Sequence, residues 1–216
     1  MLLQIPNVLD EKSLAQINKV LEKSSWIESK NNAAKLLEIN KETSALSENI
    51  LNALEKNMLF ISAAIPNKIF PPLFIKLDEK FQDEPKVDSA IKNMQGTSFR
   101  IRSDLSATLF LNNPDSYQGG ELVVEDSFGL HKIKLPAGQL IIYPASAINY
   151  IAKVTKGERV TVNFSIESMV RENDRRTILF EIDSSIRALN NDDSQNPVIK
   201  HLVSTYHNLV RMWANS

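Results

Sequence analysis

A polar series near residue 160 offers the clearest chemistry in the sequence. Every second residue there is polar, so these residues share one face of a predicted strand. They are Arg159, Thr161, Asn163 and Ser165. An arginine on such a face presents a fork of donors suited to a carboxylate. Two interpretations are open: the solvent side of an antiparallel strand, or the inside of a small barrel that lines a ligand cavity.

An acidic cluster lies further upstream and is a second candidate. It consists of Asp78, Glu79, Asp83 and Glu84. Carboxylates are the preferred ligands of hard divalent cations, so the cluster fits a metal site as well as a solvated loop.

Histidine and cysteine are scarce, which limits the available chemistry. The histidines of the 216 residues are His131, His201 and His207, and cysteine is absent. The lack of cysteine excludes disulfides, thiolate zinc sites, iron–sulfur clusters and a cysteine nucleophile. With 25 Lys and Arg against 26 Asp and Glu, the net charge of -1 indicates neither a nucleic-acid partner nor an anionic membrane.

The start of the chain, MLLQIPNVLDEKSLAQ, lacks the basic region of a secretory signal. No apolar run reaches the 18 or so residues of a membrane-spanning helix. A soluble cytoplasmic protein is the expectation, with enough residues for one domain and an appendage.

Helical periodicity occurs at both ends of the chain. Asp10 is a predicted N-cap for a helix over 10–24, and a second helix is predicted over 44–57. Apolar positions within 178–189 and 199–213 predict two further helices joined by a polar linker. Their apolar faces must be buried, either against the outside of a sheet or against a partner subunit.

From about residue 99 the pattern changes to short β-type runs separated by turns. The runs cover 105–111, 121–125, 131–135, 139–143 and 159–166. Repeated short strands of this kind predict an antiparallel sandwich or barrel.

Several contiguous strings resemble the PKHD-type branch of the Fe(II)- and 2-oxoglutarate-dependent dioxygenases, which is related to the prolyl 4-hydroxylases. The strings include SDLSATLFL at 103–111, YQGGELVVED at 117–126, LPAG at 135–138, YPAS at 143–146 and VTKGER at 154–159. The resemblance implies a mainly β fold, a double-stranded β-helix or jelly roll with flanking helices. It predicts a dioxygenase-like domain over 1–170, including the N-terminal helices, and a helical extension over 171–216.

The resemblance also implies a site. Such proteins hold Fe(II) with a His-x-Asp pair and a distal histidine, bind 2-oxoglutarate through an arginine, and use ascorbate as a helper. On this chain the His-x-Asp pair falls on Lys86 and Asp88, the distal histidine on Asn149, and the arginine on Arg159. Asp88 is therefore the one retained ligand position, and Arg159 is the expected 2-oxoglutarate residue.

Both histidine positions carry residues that suit iron poorly. A protonated lysine has no lone pair to offer, and a carboxamide is a weak ligand compared with imidazole. A tyrosine that helps to bind the co-substrate in the family is Leu77 here. His131 matches a family histidine that is not a ligand, and the other two histidines lie in the C-terminal extension.

These substitutions lead to several hypotheses. The Lys86 amine either points to solvent or pairs with Asp88, two residues along the same strand face, in place of the metal charge. The protein is then a catalytically silent relative with a binding or regulatory role, an active dioxygenase with a non-standard metal shell, or an interaction module. The expected partners are 2-oxoglutarate or another small carboxylate, and a second subunit, of the same or another kind, bound through the C-terminal helices.

Overall fold

The computed structural model describes residues 1–30 and 32–215. Its helices are α1 Glu11–Leu21, α2 Lys41–Glu55, α3 Met58–Ala64, α4 Asn173–Asp192 and α5 Val198–Trp213. Its strands are β1 Leu3–Ile5, β2 Trp26–Glu28, β3 Lys35–Leu37, β4 Pro66–Ile69, β5 Leu73–Leu77, β6 Ile91–Asn93, β7 Arg100–Arg102, β8 Leu105–Phe110, β9 Tyr117–Gly119, β10 Leu122–Asp126, β11 Gly129–Ile133, β12 Leu140–Pro144, β13 Ile148–Ile151, β14 Val154–Gly157 and β15 Arg159–Ser168.

Two antiparallel sheets face each other, and the remaining strands form two-stranded pairs, β14 with β9 and β6 with β7. The larger sheet has the order β1-β12-β8-β15-β5-β3-β2, with β4 also paired to β15, and the smaller one has the order β11-β10-β13. Apolar side chains from both sheets meet between them, including Phe110 and Ile141 from the larger sheet and Leu122 and Val124 from the smaller one. The mainly β architecture with flanking helices is therefore confirmed.

Strand β8 is buried on both faces. Leu105, Ala107 and Leu109 pack with residues of α1, α2 and α3 in the main core, whereas Phe110 points between the sheets. Each residue of β8 is buried. The alternation of apolar and small polar residues thus marks two different environments, a helix-covered outer face and a barrel interior, and not a core side and a water side.

The N-terminal helices begin at side-chain caps. The carboxylate of Asp10 accepts a hydrogen bond from the Ser13 amide at 2.7 Å, which confirms it as the N-cap of α1. Helix α2 starts earlier than predicted because Asn40 and Thr43 form a capping box. It also ends earlier, since Asn57 caps a separate helix, α3.

Strands before residue 99 escaped the sequence prediction. Those strands, β1 to β6, are each three to five residues long. Such short segments carry too few alternating positions for a period to emerge, and they become strands because a neighbouring strand, distant or near in sequence, supplies their hydrogen bonds. Strand β5, for example, pairs with β15 along its whole length.

The C-terminal helices pack on α3 and on each other. Leu179 of α4 is buried with Ile65 and Val170, and α5 adds Tyr206 and Trp213 to the same cluster. Helix α4 continues to Asp192, so the predicted linker over 190–197 begins too early. Within the described residues, the apolar faces of these helices pack on the end of α3 and on each other, and Phe180 of α4 packs against the main core. Every described residue of α5 keeps at least partial exposure.

Two glycines give a matched test of steric crowding. Gly119 has φ +70°, and an added Cβ would lie closer than 3.0 Å to the Lys153 carbonyl oxygen, whereas Gly96 has φ +76° with open space around it. Both alanine variants carry the strain of a positive φ, about 1–2 kcal/mol. We expect Gly119→Ala to lower the free energy of unfolding by about 1–3 kcal/mol more than Gly96→Ala, because only the first must displace backbone. Urea denaturation measures both, and equal losses would contradict the crowding.

Candidate functional site

The main chain brings two separate segments together at Lys86 and Asn149. The Lys86 amide donates to the Asn149 carbonyl at 3.0 Å, and the Asn149 amide donates back to the Lys86 carbonyl at 2.8 Å. This bridge joins the segment after β5 to β13. The two positions that the resemblance assigns to histidine ligands are therefore direct neighbours.

A cavity of about 230 Å³ opens beside this bridge between the two sheets. Charged and polar groups on its wall include Asp83, Lys86, Asp88, Lys92, Tyr143 and Asn149. The structure thus gathers the predicted Lys86, Asp88 and Asn149 around one space. It adds Asp83, Lys92 and Tyr143, which the sequence did not point to as members of one site.

Lys86 does not pair with Asp88, so that hypothesis is wrong. Its ammonium makes an ion pair with Asp83, three residues earlier, and the Lys86 side chain is 52% exposed. The Asp83 side chain is only 7% exposed, and its other oxygen accepts a hydrogen bond from the Ile151 amide at 2.9 Å. The fixed carboxylate of Asp83 therefore holds the lysine at the cavity wall.

Asp88 keeps a carboxylate in the cavity without a cationic partner. One of its oxygens accepts a hydrogen bond from the Ser106 hydroxyl on β8. Within residues 1–30 and 32–215, no lysine, arginine or histidine nitrogen makes an ion pair with it. The Asp88 carboxylate therefore faces the cavity as a negative charge.

Asn149 is 6% exposed, and its side chain serves the main chain. The carboxamide nitrogen lies 3.2 Å from the Ala147 carbonyl and 3.4 Å from the Lys86 carbonyl. The carboxamide is thus held by main-chain carbonyls on both sides of the bridge, at Ala147 before β13 and at Lys86.

These residues do not fit an iron ion. The three ligand positions offer a protonated amine engaged by Asp83, one carboxylate and a carboxamide, whereas Fe(II) sites of this type need imidazoles beside the carboxylate. In the described part of the chain, no three His, Cys, Asp or Glu side chains are grouped to hold a metal.

The polar face of β15 points into the barrel. Arg159, Thr161 and Ser165 are at most 1% exposed, and Asn163 and Ser165 line the cavity. The solvent-facing interpretation of this series is therefore wrong. The Ser165 hydroxyl and the Asn163 carboxamide oxygen are buried without a hydrogen-bond partner in the described structure.

Arg159 lies at the inner end of this polar face and is 0% exposed. Its Nη1 donates to the Thr161 hydroxyl at 3.0 Å, and its guanidinium lies 5.3 Å from the centre of the Phe110 ring. The Nε and Nη2 donors make no hydrogen bond of regular geometry with the described residues, and their neighbour is the Tyr117 hydroxyl, whose interaction with the guanidinium opposes the effect of burial on the pKa of both groups. Burial lowers the pKa of Arg159 and raises that of Tyr117.

An unpaired guanidinium in a protein interior is costly, because it has lost its water and gained no counter-charge. Two free donors on its planar fork match the two oxygens of a carboxylate. The donors of Arg159 therefore suit a carboxylate in their chemistry, while the cavity lining on β15 begins at Asn163, four residues further along the strand. Of iron and 2-oxoglutarate, the two groups that the resemblance implies, a carboxylate of 2-oxoglutarate is the one that these residues still suit.

The position of the family tyrosine is filled by an apolar residue. Leu77 is 2% exposed and packs with Phe81 and Val154 near the Arg159 end of the barrel. A hydroxyl that would help to hold a carboxylate is thereby replaced by hydrocarbon. Tyr143, which lines the cavity, has its pKa raised by burial and therefore stays neutral as a hydrogen-bond donor.

The remaining candidates lie outside the cavity. Asp78 pairs with Lys35 at 2.6 Å, and this hydrogen bond lowers the pKa of Asp78. Asp78 and Asp83 of the acidic cluster thus pair with different lysines, Lys35 and Lys86. Glu79 and Glu84 are exposed, which favours the interpretation of a solvated loop. His131 lies 2.9 Å from Asp126 on the β10–β11 hairpin. His201 and His207 lie on α5.

Solved structures show which class of protein has this fold. A prolyl-4-hydroxylase from Pseudomonas putida matches with a TM-score of 0.56 at 15% identity, over 77% of this chain and 92% of that one. An oxidoreductase of the 2OG-Fe(II) oxygenase family from Burkholderia pseudomallei matches with a TM-score of 0.56 at 15% identity, over 80% and 85%. HygX from Streptomyces hygroscopicus, solved with nickel, 2-oxoglutarate and hygromycin B, matches at 0.54 and 10%, over 77% and 82%. The fold is the double-stranded β-helix of the 2-oxoglutarate oxygenases.

Sequence comparison narrows the class to a family. A PKHD-type hydroxylase of Burkholderia cenocepacia is 43% identical over 227 aligned positions, which cover 100% of both chains. Residues 173–215, which span α4 and α5, match the PKHD-type hydroxylase C-terminal domain. The chain belongs to the PKHD-type hydroxylase family. No helix in its described residues has the length and apolar character needed to cross a membrane.

Proposed function

We propose that this PKHD-type family member is catalytically silent and binds a small organic acid, with 2-oxoglutarate as the reference compound, in a binding or regulatory role. The observation that carries the proposal is Arg159, a fully buried guanidinium with two unpartnered donors at the end of the polar strand face. A carboxylate would supply the missing counter-charge and accept both donors.

Loss of the oxidation chemistry is inferred from the metal positions. When bound, iron supplies the site for oxygen activation in oxygenases of this class. Here the Lys86 ammonium is held by Asp83, and the Asn149 carboxamide is held by main-chain carbonyls. A single carboxylate, Asp88, is left to face a metal, which is too few ligands to compete with water.

An active enzyme with a non-standard metal shell is the second candidate. One observation favours it: Asp83 provides a second carboxylate on the wall of the same cavity as Asp88. Against it, both Asp83 oxygens are engaged, one by Lys86 and one by the Ile151 amide. The silent protein is therefore the stronger proposal.

Reconstitution separates the two candidates. The protein is incubated without oxygen with Fe(II), 2-oxoglutarate and ascorbate, freed of loose metal, analysed for iron and then exposed to oxygen. We expect no stoichiometric iron and no succinate above the level of the buffer. Stoichiometric iron together with conversion of 2-oxoglutarate to succinate would overturn the silent proposal.

Calorimetry tests the binding half of the proposal. We expect metal-free protein to bind 2-oxoglutarate, and Arg159→Met to weaken binding by about 10- to 100-fold, because a charge-assisted bidentate contact is lost. The matched control is Arg211→Met, which removes an exposed guanidinium on α5. Equal affinity of the Arg159 variant and the wild type would show that this arginine is only structural.

A further inference from the structure

The cavity beside the bridge of residues 86 and 149 contains hydrogen-bond acceptors that lack a donor. The Ser165 hydroxyl and the Asn163 carboxamide oxygen are buried and have no hydrogen-bond partner in the described structure. The Asp88 carboxylate accepts from the Ser106 hydroxyl, but it makes no ion pair within residues 1–30 and 32–215. All four residues line the cavity. Buried acceptors without donors are costly, so this wall of the cavity suits a ligand rich in donors.

The register of the larger sheet brings these acceptors close together. Ser106 on β8 lies opposite Ser165 on β15, and Asn163 lies two residues from Ser165 on the same strand face. Side chains directly opposite each other in an antiparallel pair have Cβ atoms about 4.5–5.5 Å apart. Because Ser106 donates to Asp88, the carboxylate is held against the same part of the sheet. A single small group can therefore contact the carboxylate and the Ser165 hydroxyl together.

The chain itself does not supply a cation to Asp88. The Lys86 ammonium is engaged by Asp83. Lys92 lines the cavity, but among the described residues it makes no ion pair with Asp88. A metal ion does not fit the residues beside the carboxylate, as shown above. The group that fits is an ammonium, which has three N–H donors, no acceptor and a positive charge.

The other walls of the cavity are apolar and define the rest of the ligand. Phe70, Leu73 and Ile75 lie on one side, and Leu122 and Ile151, which pair across β10 and β13, lie on the other. A cavity of about 150 Å³ is large enough for benzene. The volume of about 230 Å³ therefore accommodates an alkyl group of four carbons beside the ammonium.

We infer that this cavity binds a small primary alkylamine in its ammonium form, with n-butylammonium as the reference probe. The ammonium group contacts Asp88, Ser165 and Asn163, and the alkyl chain packs between the apolar walls. The inference goes beyond the proposed function, because it assigns a cationic ligand to a cavity whose lining does not include Arg159. It depends on Asp88 being free of metal and does not depend on the binding of an organic acid.

The test compares matched probes by calorimetry on metal-free protein in an amine-free buffer without 2-oxoglutarate. n-Butylammonium, tetramethylammonium and 1-butanol each have four carbons and one further heavy atom. Tetramethylammonium keeps the charge without an N–H donor, and 1-butanol keeps a donor without the charge. We expect n-butylammonium to bind at least about tenfold more tightly than either, because it alone offers charge-assisted hydrogen bonds to Asp88.

Variants identify the residues that create the preference. Asp88→Asn keeps the shape and an acceptor for Ser106, and we expect it to remove the preference for n-butylammonium over 1-butanol. Asp115→Asn, at an exposed position, is the matched control and should keep it. Lys92→Met should strengthen binding of n-butylammonium by about threefold, because it removes a like charge from the cavity wall. Circular dichroism and thermal unfolding verify that each variant is folded.

The outcomes separate this inference from the proposed function. A preference for n-butylammonium that disappears in Asp88→Asn and persists in Asp115→Asn supports the inference. It is overturned if the folded wild type binds the three probes equally or does not bind n-butylammonium, or if the preference persists in Asp88→Asn. Weaker binding of n-butylammonium by Lys92→Met also overturns it, because that result indicates an anionic ligand. Titration of 2-oxoglutarate in a separate experiment tests the organic-acid proposal, which can fail while the amine site stands.

Discussion

Replacing Lys86 and Asn149 together with histidine is expected to create an iron site with about one equivalent of Fe(II) per chain. The backbone bridge already holds the two positions side by side, with amide-to-carbonyl distances of 3.0 and 2.8 Å. Asp88 lies two residues from the first of them and on the same cavity wall. The double variant thus supplies two imidazoles and one carboxylate, the donor set that leaves positions open for other ligands.

Metal analysis after anaerobic loading and removal of free iron measures this gain. Lys86→His alone and Asn149→His alone each leave one imidazole and one carboxylate, so neither should retain iron. Adding Asp88→Ala to the double variant removes the carboxylate and should abolish retention. A folded double variant that stays free of iron would show that the neighbouring strands no longer hold the ligand geometry.

Arg159→Met is expected to stabilise the ligand-free protein while making it less sensitive to organic acids. Exchange of an unpaired buried charge for an apolar side chain of similar length removes its desolvation cost, and replacement of buried ion pairs by apolar side chains, which removes the same kind of cost, is neutral or stabilising by about 1–4 kcal/mol. The variant should therefore melt at a higher temperature than the wild type in buffer alone. Differential scanning calorimetry without added ligand gives the comparison.

The stability advantage of the variant over the wild type should then shrink when ligand is present. A ligand at about 100 times its dissociation constant stabilises the wild type by about 2.7 kcal/mol, because it binds only the folded state. The variant should gain only about 0.4–1.4 kcal/mol at the same ligand concentration, since its affinity is expected to be 10- to 100-fold weaker. If the variant unfolds at a lower temperature than the wild type in the absence of ligand, the guanidinium has a stabilising partner and the carboxylate argument fails.

The fold was predictable where the sequence has long periodic segments. The alternation from residue 159 to 166 predicted β15, and the heptad-like apolar spacing of 199–213 predicted α5. Strands β1 to β6 were missed because each is short and depends on a neighbour for its hydrogen bonds. The early end of α2 was missed because Asn57 is an ordinary helix residue unless its side chain is seen to cap α3.

The site was predictable only in part. Resemblance placed Lys86, Asp88 and Asn149, and the structure brings them around one cavity. The partner of Lys86 was not predictable, because Asp83 and Asp88 both lie within three residues of it and the Ile151 amide, distant in sequence, fixes Asp83 in place. The inward orientation of Arg159 depends on which face of β15 the smaller sheet covers, which no local pattern reveals.

Two expectations stay predictions. One is the division into a dioxygenase-like domain over 1–170 and a helical extension over 171–216, although residues 173–215 match a family C-terminal domain. The other is assembly through the C-terminal helices. Val198 and Met212 at the two ends of α5 are exposed apolar residues, which such an interface would cover.

The bridge between residues 86 and 149 also bears on how this family can change during evolution. The joint consists of amide and carbonyl groups, which every residue except proline provides in the same form. Either side chain can therefore be exchanged in any order, and each intermediate protein keeps the two segments together. A member of the family can therefore lose its iron site by single substitutions while every intermediate protein stays folded. The bridged segments then remain available to hold a different ligand.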